Sequence, residues 1–320
     1  MNEKTRVARL SILSNTVLTL GKLGAGISMN SVSVISEAIH SGLDLMAALI
    51  AYFSVRESSK PADELHHYGH GKFENLASIA EAILILGAAA MIIFNAYPKI
   101  LRGTEIQSLG LGAVVMGVSA VVNFFISREL MRVARKTESP ALAADAWHLR
   151  TDVYTSLGVF AGIIAIKVTG LTVLDPLIAM GITIFIIKAA VELIRDSMCS
   201  ILDVRLPEAE EQLIRETLAS YATQYVEFHD LRTRKAGSQR YIDLHLVVPK
   251  EWAIQKVHAL CDQIERELCG RFSGAHILIH TEPCGLHCKV CSRDCEADKS
   301  GLYEKVCEEC RQCERRPGKK

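Results

Sequence analysis

Residues 76–101 read LASIAEAILILGAAAMIIFNAYPKIL, a stretch that is apolar and long enough to cross a bilayer as a helix. A span requires about 20 mainly apolar residues to cross roughly 30 Å of hydrocarbon. Of the 320 residues in the chain 49% are hydrophobic, which is a high share for a wholly soluble protein. The long apolar runs end near Cys199, and the remainder is charged with short alternating segments. We therefore predict a membrane half followed by a soluble half.

Five further apolar runs bring the predicted number of transmembrane helices to six. Lysine and arginine concentrate in the connections on one side, which the positive-inside rule assigns to the cytoplasm. This bias predicts a multi-pass protein of the cytoplasmic (inner) membrane with both termini, the 57–73 loop and the soluble half in the cytoplasm. The six predicted spans are residues 10–29, 32–55, 76–101, 109–131, 141–168 and 173–198.

The second and fifth predicted spans share one pattern: an acid, alanine, any residue, histidine, three further residues and aspartate. The pattern ends in His40 and Asp44 in the second span, and in His148 and Asp152 in the fifth. Residues four apart lie on one face of a helix, so each span offers one imidazole and one carboxylate to the same point. Two such helices would supply the four nitrogen and oxygen ligands of a tetrahedral Zn²⁺ site.

Ionisable side chains inside a bilayer cost several kcal/mol each unless they pair, meet water or bind an ion. Hydrogen bonding between helices is the alternative reading, but it does not require the same histidine–aspartate pair twice. The repeated pattern therefore favours a metal site. Glu37 and Asp145 each lie three residues before the histidine of their own span. At this position an acid either orients the imidazole or faces water.

The soluble half carries a pattern of helices and strands in the order α-β-β-α-β. Helices are predicted over residues 207–222 and 252–272, and strands over 226–232, 241–248 and 275–280. In the second strand Ile242, Leu244 and Leu246 alternate with Asp243 and His245, which places His245 on the face opposite the core. The order suits a small two-layer, ferredoxin-like α+β domain with helices on one sheet face.

Seven of the ten cysteines lie after residue 283, with His287 among them. In a reducing cytoplasm such a cluster indicates metal thiolate rather than disulfide. The spacings suit one or two zinc sites or an iron–sulfur cluster. The first three cysteines also match the radical-SAM spacing, but no barrel-sized catalytic domain accompanies them. The candidate ligands in this tail are Cys284, His287, Cys288, Cys291, Cys295, Cys307, Cys310 and Cys313.

With these motifs the chain resembles the cation diffusion facilitator family of metal/proton antiporters, over nearly its whole length to about Pro283. Residues 63–72 (DELHHYGHGK), 228–234 (FHDLRTR) and 279–283 (IHTEP) carry the resemblance outside the spans. The loop itself, with three histidines and two acids within eight residues, suits either a chelating site or a solvated polar loop. His40 and Glu282 depart from the pattern, because many bacterial members have aspartate at these positions. The first departure shifts the metal preference towards zinc.

The resemblance implies a homodimer with metal sites outside the membrane as well as inside it. It implies a loop site at Asp63, His66 and His70, and a charged dimer contact that includes Lys72 and Asp203. It further implies a cytoplasmic binuclear site formed by His229, His245, His258, His280 and Glu282.

We expect residues 1–203 to form the transport domain, 204–283 the cytoplasmic metal-binding domain and 284–320 the tail. The expected function is proton-coupled efflux of a divalent metal ion, with Zn²⁺ favoured and Fe²⁺, Co²⁺, Cd²⁺ or Ni²⁺ as alternatives. A membrane metal sensor or scaffold without net flux is the main rival, and an iron–sulfur redox protein is another. The formal net charge is zero, which gives no reason to expect nucleic-acid binding, and no enzymatic activity is expected.

Overall fold

The computed structural model describes residues 3–28, 32–102, 111–169 and 174–284. It divides into two compact units, with the boundary between residues 202 and 203. The first unit is helical and the second contains a small sheet.

Six long helices make up the described part of the first unit. They contain 26 to 31 residues each, so at 1.5 Å per residue even the shortest is about 39 Å long. Two regions within them, Lys72–Pro98 and Leu177–Ile201, are long and apolar enough to cross a membrane among the described residues. The other helices are more polar, and the number of spans stays a prediction. The bounds are α1 Glu3–Ser28, α2 Val32–Ser58, α3 Lys72–Arg102, α4 Leu111–Thr137, α5 Pro140–Thr169 and α6 Leu174–Ile201.

Small side chains fill the contacts between these helices. Ala47, Ala48 and Ala51 of α2 are completely buried, whereas Leu13 and Val17 of α1 are exposed. Helices in a membrane gain little from the hydrophobic effect, and small residues allow their backbones to approach and pack closely. The exposed leucines and valines suit contact with lipid.

One buried polar cluster joins the ends of four helices. The Glu74 carboxylate at the start of α3 accepts hydrogen bonds from Lys4 of α1 and Ser58 of α2, both at 2.8 Å, and from Ser139. Ser139 directly precedes α5, and its hydroxyl also accepts the backbone N–H of Leu142 at 3.4 Å. We call these residues the Glu74 cluster.

The second unit follows the predicted α-β-β-α-β order, which the structure confirms. Strand β2 lies in the middle of the sheet, antiparallel to β1 and parallel to β3. The parallel pairing requires a crossover, which α8 provides. The elements are α7 Glu208–Ser220, β1 Glu227–Ala236, β2 Gln239–Val248, α8 Ile254–Arg271 and β3 Ala275–Pro283.

The core of this unit forms where the apolar face of the sheet meets the two helices. Ile242, Leu244 and Leu246 of β2 pack with Ile264 and Leu268 of α8, and all five are almost completely buried. The buried residues are two positions apart in the strand and four positions apart in the helix. These are the spacings expected when one face of each element is buried. The opposite face of the sheet therefore remains free for polar side chains.

Candidate metal centres

The first candidate centre lies between α2 and α5. One ligand atom each from Asp44, His148 and Asp152 lies within 4.8 Å of the other two. His148 Nε2 is 3.2 Å from Asp44 Oδ1, and both residues are buried, at 7% and 4% exposure. Asp152 is half-buried and accepts the amide of Asn123 at 3.5 Å. We call these three residues the transport cluster.

Helix geometry explains how α5 supplies two of these donors. His148 and Asp152 are four residues apart, so they project from one face of α5 on successive turns. Asp44 reaches them from α2, which packs on α5. The side chain of His40, the fourth predicted ligand, lies outside the described residues. A nitrogen and two carboxylates at this spacing can surround one small divalent cation.

The second candidate centre is in the loop before α3. Asp63, His66 and His70 place one ligand atom each within 4.8 Å of one another. Asp63 Oδ1 lies 3.1 Å from His66 Nδ1, and Asp63 Oδ2 lies 3.3 Å from His70 Nε2. The ring centroids of the two histidines are 4.3 Å apart. We call these residues the loop cluster.

Backbone hydrogen bonds hold the Asp63 carboxylate in place. Its Oδ1 accepts the N–H of His66 at 2.7 Å and that of Leu65 at 3.0 Å. These bonds, that of His66 above all, lower the pKa of Asp63 below its ordinary value because they favour the ionised form. The carboxylate is therefore charged and oriented before any metal arrives.

The third candidate centre lies on the polar face of the sheet in the second unit. His229 of β1 pairs in register with His245 of β2, which pairs with His280 of β3, so three imidazoles form a row across the sheet. Glu282 approaches all three, with carboxylate oxygens 2.9 Å from His245 Nδ1, 3.5 Å from His229 Nε2 and 3.9 Å from His280 Nε2. One ligand atom each from His245, His280 and Glu282 lies within 4.8 Å of the others. We call these four residues the sheet cluster.

Two residues change the predicted ligand set of the sheet cluster. Asp230 joins His229 and His245 in a second group of three donors, which sequence analysis missed. The β1–β2 register shifts between His229 and Arg232, and Asp230 has a φ of 49°, so this irregularity interrupts the alternation of side chains. His258 does not join either group among the described residues. It lies on α8, 77% exposed, with Nδ1 3.6 Å from Asp262.

The remaining predicted residues are only partly described. Cys284 is buried, and its N–H donates to the Val248 carbonyl at 2.8 Å. The Lys72 ammonium donates to the Ile201 carbonyl at 3.2 Å, and Asp203 accepts from Arg234 at 3.3 Å. The other tail candidates lie outside the described residues, namely His287, Cys288, Cys291, Cys295, Cys307, Cys310 and Cys313.

Comparison with known proteins identifies the family of this chain. Residues 8–202 match the family model of the cation efflux transmembrane domain, and residues 206–284 match that of the cation efflux protein cytoplasmic domain. The chain belongs to the cation efflux family. The predicted membership of the cation diffusion facilitators is thereby confirmed, and with it a membrane transporter of cations rather than an enzyme.

Relatives of this family member cover most of its length. An uncharacterized transporter of Synechocystis is 36% identical over 266 residues, which are 83% of this chain and 86% of the relative. The cation-efflux pump FieF of Yersinia enterocolitica is 35% identical over 282 residues, or 87% and 93% of the two chains. The solved zinc form of CzrB is 39% identical over 25% of this chain and 92% of its own, with a TM-score of 0.25.

Proposed function

We propose that this cation efflux protein exports a divalent transition-metal ion from the cytoplasm in exchange for protons, and that its main substrate is Zn²⁺. The observation that carries the proposal is the transport cluster, in which Asp44, His148 and Asp152 converge inside the helical unit. Buried ionisable groups that meet in one place in a membrane protein mark an ion pathway by default. The related FieF proteins are named as cation-efflux pumps, which supports the direction of transport.

The donor chemistry favours zinc. Imidazole nitrogen and carboxylate oxygen bind Zn²⁺ at about 2.0 to 2.2 Å in tetrahedral sites. His40 lies one helical turn before Asp44 in α2, so it is the natural fourth ligand. Fe²⁺, Co²⁺, Cd²⁺ and Ni²⁺ accept the same donors, and cellular availability then decides among them.

Competition between metal and protons provides the coupling. A protonated imidazole cannot bind a metal, so zinc must displace a proton from the ring nitrogen that coordinates it. His148 Nε2 lies 3.2 Å from Asp44 Oδ1, a distance at which one proton can bridge the two groups when no metal is bound. Rocking of the helices around the cluster would expose it alternately to the two sides of the membrane. Metal would load from the cytoplasm, and protons would displace it on the other side.

The other two centres would serve the same ion outside the membrane. The loop cluster is mainly exposed, with an oriented Asp63 carboxylate, which suits capture or delivery of zinc. The sheet cluster suits a bound regulatory or structural zinc. The match to the family's cytoplasmic domain supports a homodimer, for which Lys72 and Asp203 stay the candidate contacts. We place the protein in the inner membrane with both termini cytoplasmic, and its cysteine tail as a further zinc-binding segment.

Purified protein in liposomes tests this proposal. Zinc entry and internal pH are recorded together, with a zinc dye and a pH dye trapped inside the vesicles. His148→Ala should abolish both signals, because it removes the imidazole of the transport cluster. His67→Ala is the matched control, since His67 is exposed and outside the three clusters.

The outcomes separate the candidate functions. Zinc flux with opposite proton flux, lost only in His148→Ala, supports the antiporter. Zinc binding without flux of either ion in the native protein would instead indicate a membrane sensor or scaffold. Full transport by His148→Ala would show that the transport cluster is not part of the ion pathway.

A further inference from the structure

A groove opens between α2 and α3, away from the three metal clusters. Its volume is about 700 Å³, within the range of about 300 to 1,000 Å³ that is usual for ligand pockets. Ser54 and Ala77 line it and are buried, so small side chains form its floor. The Ser54 hydroxyl donates to the Phe73 carbonyl at 2.8 Å, which joins the two helices along the groove. We call this feature the α2–α3 groove.

The two ends of the groove differ in chemistry. Along most of its length the lining side chains are apolar, and Met46, Phe53 and Leu76 among them are exposed. At the end where α2 finishes, the lining changes to charged residues, namely Arg56, Glu57 and Lys60. Lys60 Nζ lies 2.5 Å from Glu57 Oε1, so this carboxylate offsets one of the two cations. The charged end therefore keeps a net positive charge.

The dimensions of the groove suit one leaflet of a bilayer. At 1.5 Å per residue, α2 rises about 15 Å between Met46 and Arg56. That rise is half of the roughly 30 Å of hydrocarbon in a membrane. The bias of lysine and arginine places the charged end on the cytoplasmic side. This orientation rests on the topology proposed above, whereas the chemistry of the groove does not.

A second copy of this chain is the other occupant to consider for an apolar surface in a membrane. In a two-fold dimer a surface patch meets the same patch of its partner. Both copies would then bring Arg56 and Lys60 to the same level of the membrane, where like charges oppose one another. A negatively charged amphiphile instead places its charge beside these cations and covers the exposed apolar side chains.

We propose that the α2–α3 groove binds an anionic phospholipid of the cytoplasmic leaflet. Its phosphate would lie at Arg56 and Lys60, with an acyl chain along Met46, Phe53 and Leu76. Basic pockets between transmembrane helices on the cytoplasmic side are suited to anionic lipid headgroups. The planar guanidinium of Arg56 offers a fork of N–H donors that matches phosphate oxygens, and the Lys60 ammonium adds a compact charge.

Native mass spectrometry of the full-length protein in detergent tests this site. Dioleoyl phosphatidylglycerol serves as the anionic lipid, and dioleoyl phosphatidylethanolamine as a net-neutral lipid with the same chains. One phosphatidylglycerol per protomer should bind at least about fivefold more tightly, because each basic residue near an anionic headgroup contributes about that factor. Arg56→Gln combined with Lys60→Gln should remove the preference. Arg132→Gln combined with Arg195→Gln is the matched control, since it removes two exposed basic side chains from the same predicted side of the membrane.

Ala80→Phe tests the apolar end without changing any charge. Ala80 is half-buried and lines the groove, so an added ring should fill the space of the acyl chain. Phosphatidylglycerol should then bind at least about fourfold more weakly, since each methylene group that loses apolar contact contributes about that factor.

Four results would overturn the inference. The first is equal affinity of the native protein for the two lipids. The second is a preference that survives in the Arg56 and Lys60 double variant, or falls equally in the control. The third is displacement of the lipid by an equal concentration of glycerol phosphate, which would show a site for phosphate alone. The fourth is a shift from dimer to monomer in Ala80→Phe, visible in the same spectra, which would make the groove an interface between copies. None of these readouts depends on zinc transport.

Discussion

Neutralising Glu74 should destabilise the helical unit far more than neutralising an exposed acidic residue of the same unit. The Glu74 side chain is 1% exposed and that of Lys4 is 10% exposed, and their charged atoms are 2.8 Å apart. Removing one partner of a buried ion pair costs about 3 to 5 kcal/mol, because the other charge remains buried without compensation. Glu74→Gln removes the buried charge to which Lys4, Ser58 and Ser139 all donate. We therefore expect a loss of about 3 kcal/mol or more.

A double-mutant cycle separates the ion pair from the serine contacts. Lys4→Met should cost less than Glu74→Gln, because the Glu74 carboxylate keeps the hydroxyls of Ser58 and Ser139. The double variant removes both charges and should be more stable than the sum of the single changes predicts. Residues in direct contact show coupling energies of about 0.5 to 3 kcal/mol. Because Lys4 and Glu74 are buried, we expect their coupling energy at the upper end of this range.

Unfolding in mixed detergent micelles, followed by tryptophan fluorescence, provides the measurement. The chain has two tryptophans, Trp147 in α5 and Trp252 in the second unit. A Trp252→Phe background therefore restricts the signal to the helical unit. Glu129→Gln is the matched control, because its partner Arg132 is 68% exposed and such surface pairs contribute only about 0 to 1 kcal/mol. A Glu74→Gln loss no larger than that of the control, or a coupling energy near zero, would refute the reasoning.

Two further predictions concern the remaining parts of the chain. Ile264→Ala should destabilise the second unit by about 2 to 5 kcal/mol, because Ile264 is fully buried in its core. Urea unfolding of residues 203–284 measures this loss. Glu216→Ala, on the surface, is the control and should change the stability little. Asp63→Asn should weaken zinc binding at the loop cluster at least about tenfold in dialysis, with His67→Ala as control. The lowered pKa keeps Asp63 charged in mildly acidic buffer, so its carboxylate should still contribute to zinc binding there. Equal affinity in Asp63→Asn would contradict its role.

Local patterns were sufficient for much of the fold. The alternation of Ile242, Leu244 and Leu246 with polar residues predicted both a strand and its buried face, and the structure confirms them. The helix predicted over residues 252–272 contains α8, in which Ile264 and Leu268 lie four residues apart and are both buried. These predictions succeed because burial of one face is set by side chains two or four residues apart. The membrane spans are marked less clearly by composition, because polar residues in the other helices lower the mean hydropathy of their apolar runs.

Some ligands of the metal centres could also be predicted from local sequence, whereas others could not. His148 and Asp152 could be paired from sequence, because an i, i+4 spacing on a helix fixes their common face. Asp230 could not be added to the sheet cluster, because an irregularity in strand pairing is not visible in local composition. His258 was included from family resemblance, yet it joins none of the donor groups among the described residues.

The sequence alone determined the class of this protein. Three features showed this: the apolar runs, the repeated histidine–aspartate pattern and the α-β-β-α-β order. Each depends on residues that are close together in sequence. The periodicity of a helix or strand then fixes which of these residues lie on the same face. Only the tertiary structure decided which side chains meet across elements. Asp44 and His148 are separated by about a hundred residues along the chain, and Glu74 is separated from Lys4 and Ser139 by 65 residues or more. Their proximity depends on how whole helices pack, and no local spacing encodes that packing.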